Sequence, residues 1–190
     1  MMKLPGFNLV LLLPLLLLNF LAACSHRYDP DTLDLGFYQW NLWYDTSAKS
    51  VQKGPSCGWE DLHRGMGKLV RIPAMASDHF QEKKDKGVLW FHCRFTLPEN
   101  WEDRKIGLQI NGAAPEVELY LNEDQIADFH GDEAVYELDV SDIIFYTRDN
   151  HLALMIRTSP GTDWDREGIS GGVLIKSIPA ETDIAGNKNN

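Results

Sequence analysis

The stretch GVLWFHCRFTLP, Gly87–Pro98, alternates two kinds of side chain. Leu89, Phe91, Cys93, Phe95 and Leu97 fall on one side of an extended chain, and Val88, Trp90, His92, Arg94 and Thr96 on the other. Successive side chains of a strand point to opposite faces, so the pattern predicts a strand that buries one face. Working outward, KIGLQI repeats the period with Ile106, Leu108 and Ile110, and VELYLN with Val117, Leu119 and Leu121. VYELDV continues it with Tyr136, Leu138 and Val140, and HLALMI with Leu152, Leu154 and Ile156. Short strands in succession, each apolar on one face, predict an all-β chain folded as an antiparallel β-sandwich. Only WEDLHRGMGKL, residues 59–69, has helical spacing, and two glycines interrupt it.

The chain opens with one positive charge, Lys3, followed by an apolar run from Phe7 to Ala23 broken by Asn8, Pro14 and Asn19. This is the pattern of a secretory signal peptide, residues 1–23. A membrane span needs about 20 uninterrupted apolar residues, and Pro14 interrupts this one. Leu21-Ala22-Ala23-Cys24 resembles the lipobox of bacterial lipoproteins, whose cysteine is acylated and becomes the new N-terminus. The resemblance implies a bilayer anchor through Cys24 and, with Ser25 following it, a place in the cell envelope at the outer membrane. One acyl chain holds weakly and two or more hold stably. Residues 24–32 read as a short tether, 33–178 as the domain and 179–190 as a polar tail.

Charge and cysteines narrow the partners. The sequence carries 28 acidic against 18 basic residues, a formal charge of −10, with no basic cluster, which argues against nucleic acid and anionic headgroups. An oxidising envelope permits a Cys57–Cys93 disulfide. Two free thiols are the favoured alternative, because Cys93 falls on the apolar side of its strand. The six histidines show no His-x-His or His-Glu-x-x-His spacing, so no zinc site is expected from spacing. Asp163, Asp165 and Glu167 with Gly168 repeat the start of a calcium loop, but the twelfth position is Leu174 where a bidentate glutamate belongs. No cofactor is expected.

The order of segments from Leu33 to Ile178 resembles the N-terminal sugar-binding domain of family 2 glycoside hydrolases, which has a galactose-binding-like jelly-roll fold. The residues that carry the resemblance are LGFYQWNLWYD, LVRIPA, GVLWFHCRFTLP, INGAAPEVELYLN, VYELDVSDII, NHLALMIRT and GISGGVLI, in that order. In VYELDVSDII, Asp139, Ser141 and Asp142 read first as turn-closing residues. The family's Asn-Gly turn is replaced by Asn122-Glu123-Asp124, which predicts a longer or different hairpin loop.

The resemblance also implies that the catalytic glutamates of such enzymes sit on a separate barrel of about 250 residues. This chain stops about where that barrel would follow, so the expected role is non-catalytic: a carbohydrate-binding or accessory module. Trp90, Tyr120 and Trp164 are the candidate stacking rings, with Arg94 beside Trp90 as a polar partner. The alternative is an envelope lipoprotein that uses the sandwich as a protein-interaction or sensor scaffold, and a truncated hydrolase remnant stands behind both. The expected partner is thus a glycan or an envelope protein.

Overall fold

The structure, a computed structural model, describes residues 29–47, 54–81, 87–130, 135–158 and 163–178. The signal segment 1–23, Cys24 and the tail 179–190 lie outside the described residues. In chain order the strands are β1 (Thr32–Asp34), β2 (Trp40–Asp45), β3 (Lys68–Val70), β4 (Ala74–Met75), β5 (Gly87–Phe95) and β6 (Lys105–Asn111). They continue with β7 (Glu116–Leu121), β8 (Asp124–His130), β9 (Val135–Asp139), β10 (Asn150–Thr158), β11 (Gly168–Ile169) and β12 (Val173–Ile178). Among the described residues two short helices, α1 (Trp59–His63) and α2 (Ala76–His79), lie in the connections.

The strands form a four-stranded sheet in the order β1-β12-β6-β9 and a six-stranded sheet in the order β3-β2-β5-β10-β7-β8, with β4 and β11 paired separately. Every ladder is antiparallel. Neighbours far apart in sequence, such as β12 between β1 and β6, mark the crossovers of a jelly-roll sandwich. The alternation read from the sequence decides which faces meet. Leu89, Phe91, Cys93 and Phe95 of β5 join Leu152, Leu154 and Ile156 of β10 and Val117, Leu119 and Leu121 of β7 in one buried cluster. Ile106, Leu108 and Ile110 of β6 and Val173 and Ile175 of β12 meet them from the opposite sheet.

The turn closing VYELDV is built as its residues suggest. Asp139 Oδ1 accepts hydrogen bonds from Ser141 N at 3.0 Å and Ser141 Oγ at 2.5 Å, and Ser141 Oγ accepts one from Ile106 N at 2.9 Å. The expected longer or different loop between β7 and β8 is corrected by the structure. Leu121 pairs with Asp124, so Asn122 and Glu123 alone make the turn, at φ 54° and 76°. A two-residue hairpin turn with both φ values positive ordinarily wants Asn-Gly. Asn122 is held there by its side chain, which donates to Ile143 O and to Asn150 Oδ1, each at 3.0 Å, and accepts from His151 N at 3.0 Å. Glu123 takes the second position, where a non-glycine residue is strained by roughly 1–2 kcal/mol.

The outward face of the six-stranded sheet is also covered. Trp59, Leu62 and His63 of α1 recur at i, i+3 and i+4, which places them on one side of the helix. Leu62 joins Val88, Trp90, Tyr120, Ala153 and Met155 in a second buried cluster, with Trp43, Cys57 and Trp59 packed against it. The helix ends at Gly65, whose N–H bonds to Leu62 O at 3.1 Å. Gly67, at φ +105°, lets the chain return over β2, since a Cβ there would lie 2.4 Å from Leu42 O.

Candidate functional site

The strand register lays out the covered face in rows. One row runs Asn41, His92, Ala153, Tyr120, and the next Trp43, Trp90, Met155, Glu118. Trp90 therefore points away from the main core, as the alternation requires, yet its relative exposure is 0%. Its ring lies 5.6 Å from Trp59 and 5.5 Å from Tyr120, and Trp59 lies 5.2 Å from Tyr120. Tyr120 is 8% exposed, donates its hydroxyl to Glu118 Oε2 at 2.6 Å, and Glu118 is paired in turn with Arg157. Burial and the Glu118 carboxylate push the Tyr120 phenol up.

These positions correct the expected glycan platform. Trp90 and Tyr120 are brought together, but under α1, so neither ring face is open to a sugar. Trp164 packs elsewhere, edge-on to Tyr44 at 5.5 Å and Phe80 at 5.9 Å, against the main core. Arg94 is exposed and faces Asp149 at 3.6 Å. The disulfide alternative is excluded by the sheet itself. Cys93 is buried in the main core while Cys57 packs against the cluster on the opposite face, and both are free. Burial raises the Cys93 thiol to about 12. Asp163 caps a short 3-10 turn by accepting from Asp165 N at 3.3 Å, and Glu167 is turned inward at 1% exposure, so the calcium-loop residues do not converge.

Beside the second cluster stands a group that the sequence reading missed. His63 of α1, His92 of β5 and His151 of β10 stack nearly parallel, with ring centroids 3.9 Å apart for His63–His151, 5.2 Å for His63–His92 and 5.3 Å for His92–His151. A hydrogen bond joins His92 Nε2 and His151 Nδ1 at 3.0 Å. His92 is 1% exposed, and among the described residues its Nδ1 has no hydrogen-bond partner; nor has the buried Oδ1 of Asn41, the residue paired with it on β2. Burial depresses all three imidazoles, His92 to about 3 and His151 to about 4. The Glu123 carboxylate, 3.8 Å from His63 Nδ1, works in the opposite sense on His63. No local spacing could reveal this group, because its members come from a helix and two strands far apart in sequence. The one available signal was that His92 and His151 each sit on the outward side of a long strand.

The outward face of the four-stranded sheet holds a cleft of about 400 Å³. Its side chains are Gln109 from β6, Glu137 and Asp139 from β9, and Lys176 and Ile178 from β12, around the bare backbone of Gly107. A Cβ on Gly107 would meet only Ile178 Cδ1 at 3.7 Å and Leu138 O at 3.8 Å, so the missing side chain is what hollows the surface. Gln109 Nε2 donates to Asn111 Oδ1 at 2.5 Å, while among the described residues its Oε1 accepts from none. The two hydrogen bonds from Ser141 hold Asp139 below the ordinary carboxylate range. A second hollow of about 490 Å³ contains Tyr146, Glu99 and Glu102, but the Tyr146 hydroxyl is committed to Arg104 O at 2.7 Å.

No protein-family model matches the chain, and no curated protein matches it. Solved structures do. A β-glucuronidase from Ruminococcus gnavus in complex with D-glucuronic acid superposes with a TM-score of 0.64 at 18% identity, over 80% of this chain and 30% of that one. The Lactobacillus rhamnosus β-glucuronidase gives 0.62 at 16%, over 80% and 30%. A family 2 glycosyl hydrolase from Bacteroides cellulosilyticus gives 0.60 at 14%, over 78% and 21%. The chain thus spans about 30% of the length of the β-glucuronidases and shares the fold of a portion of them. The expected sandwich and its likeness to a family 2 domain hold at the level of fold.

Proposed function

We propose that the chain is a non-catalytic carbohydrate-binding module, anchored through acylated Cys24 in the bacterial envelope, that takes a glycan on the outward face of the four-stranded sheet. The observation that carries this reading is the cleft around Gly107, in a fold shared with a portion of sugar hydrolases. Its volume lies within the usual range for small-ligand sites, and Gln109, Glu137, Asp139 and Lys176 supply polar groups on rigid strands. Acceptor carboxylates suit the hydroxyls of a neutral sugar. With Glu137 and Asp139 present, and the chain at −10, a uronic acid is disfavoured.

Hydrolysis by this pair is disfavoured for a separate reason. A general acid needs a raised pKa, whereas the hydrogen bonds from Ser141 lower that of Asp139. The test is a glycan-array screen of the full chain beside Gly107→Val. Valine suits a strand better than glycine does, so the variant keeps its fold while its side chain fills the cleft. Binding by the wild type, weakened about tenfold or more in Gly107→Val, is expected; one or two lost hydrogen bonds suffice for that change. An empty array, or equal binding by the variant, removes the reading. The protein-scaffold alternative draws on Phe37, Met66 and Leu69, exposed at 65%, 37% and 63%.

A further inference from the structure

We propose that His63, His92 and His151, supported by Glu123, form a binding site for a divalent first-row transition metal of the zinc type that clamps α1 to the six-stranded sheet. Among the described residues these three histidines are the one group of potential ligands so gathered, each with a ring nitrogen within 4.8 Å of the other two. Imidazole donors select such ions over calcium and magnesium, which take oxygen.

The geometry asks for little from the strands. His92 Nε2 and His151 Nδ1 stand 3.0 Å apart, and two nitrogens each about 2.0–2.1 Å from a tetrahedral ion are about 3.3 Å apart. The proton between them moves to the far nitrogen of its own ring, and the ion stands to one side of the N–N line, toward which both rings tilt. His63 has to turn its ring edge inward, and it sits on a five-residue helix at the surface with its side chain 18% exposed. Glu123 Oε1, 3.8 Å from His63 Nδ1, is placed to take that N–H. This fixes the tautomer whose Nε2 lone pair is left for the metal.

Two observations beyond the gathering of rings point the same way. Among the described residues His92 Nδ1 and Asn41 Oδ1 are buried without hydrogen-bond partners and come from directly paired positions; with the ion on Nε2, Nδ1 carries the proton and Asn41 Oδ1 is an acceptor on the same side of the sheet to orient the ring. Glu123 occupies a turn position at φ 76° that glycine would take without strain, and its carboxylate stands at the site. Strain of this kind collects where function holds a residue in place. The neutral imidazoles already described are the form that ligates.

The full chain, stripped with a chelator, is titrated with Zn(II) by calorimetry and with Co(II) by visible absorption. One ion per chain is expected, with a rise in Tm and slower alkylation of Cys57, which is half-buried against the second cluster just before the clamped helix. His63→Ala and His151→Ala each should weaken binding by at least about 100-fold. Glu123→Gly, which relieves the turn and so keeps the fold, should weaken it by about 10–100-fold, the usual effect of removing a partner that orients a ligand. The proposal is overturned if the wild type binds no more tightly than the His63→Ala/His151→Ala double variant. It is overturned equally if bound Zn(II) leaves Cys57 alkylation unchanged, since an ion held elsewhere would not close the helix.

Discussion

His92 and His151 ionise with difficulty in the fold, at about 3 and about 4 against 6.5 for a free imidazole, first because they are buried and then because His63 and Arg94 stand near both and His151 near His92, while Asp149 offsets part of the effect on His151. Between those values and 6.5 the unfolded chain binds more protons than the folded one. Their contribution to stability is therefore complete above about pH 6.5 and is lost as pH falls toward the folded values. With chelator present, the urea midpoint should decline from pH 6.5 to about 5, before carboxylates contribute, and His151→Asn should flatten part of that decline. A wild-type midpoint constant over this window would mean that the rings are not held neutral. Trp90 makes a second residue-scale case. It was legible as an outward residue and illegible as a buried one, since alternation names a side of the strand and not what covers that side. Trp90→Ala should cost about 3–5 kcal/mol in denaturant melts, whereas Arg94→Ala on the same face should stay within about 0.5 kcal/mol. Near-equal losses would place Trp90 outside the packed cluster.

Among the elements, the strands were readable because a half-buried strand writes its period directly into sequence. The Asn122-Glu123 turn was misread because its backbone is imposed by bonds to Ile143, Asn150 and His151, none of them nearby in the chain. The helix α1 was the weakest signal, with five residues and glycines behind it, and it decides the fate of a whole face. Its return path depends on Gly67. Alanine there would meet Leu42 O at 2.4 Å with φ at +105°, a combination that costs roughly 1–3 kcal/mol. Gly67→Ala should lift the helix and speed alkylation of Cys57, while Cys93 in the main core stays protected. Equal acceleration at both thiols would mean that the variant loosens the entire sandwich and that α1 is no separate lid.

For the whole molecule, the order of segments was enough to reach the jelly-roll, whereas the location of a binding surface was not. Of the platform rings, Trp90 and Tyr120 were chosen from strand sidedness and Trp164 from its acidic loop, and the cleft arises from an absent side chain at Gly107, which no hydrophobic pattern records. The proposed anchor lies outside the sandwich, so Cys24→Ala should move the protein from the membrane fraction to the soluble one with an unchanged melting curve. Persistence in the membrane fraction would discard the lipobox reading. The two buried clusters on either side of the six-stranded sheet turn β5 and β10 into a middle layer, flanked by strands at both edges and roofed on both faces. Their amide hydrogens have no local route to solvent. Deuterium should enter β3 and β8 at the rims first and then the strands next to them, and reach the middle of β5 and β10 only through opening of the whole molecule. The exchange rate of those few amides then reads out global stability, and it would register a metal clamp on α1 without any probe attached to the histidines.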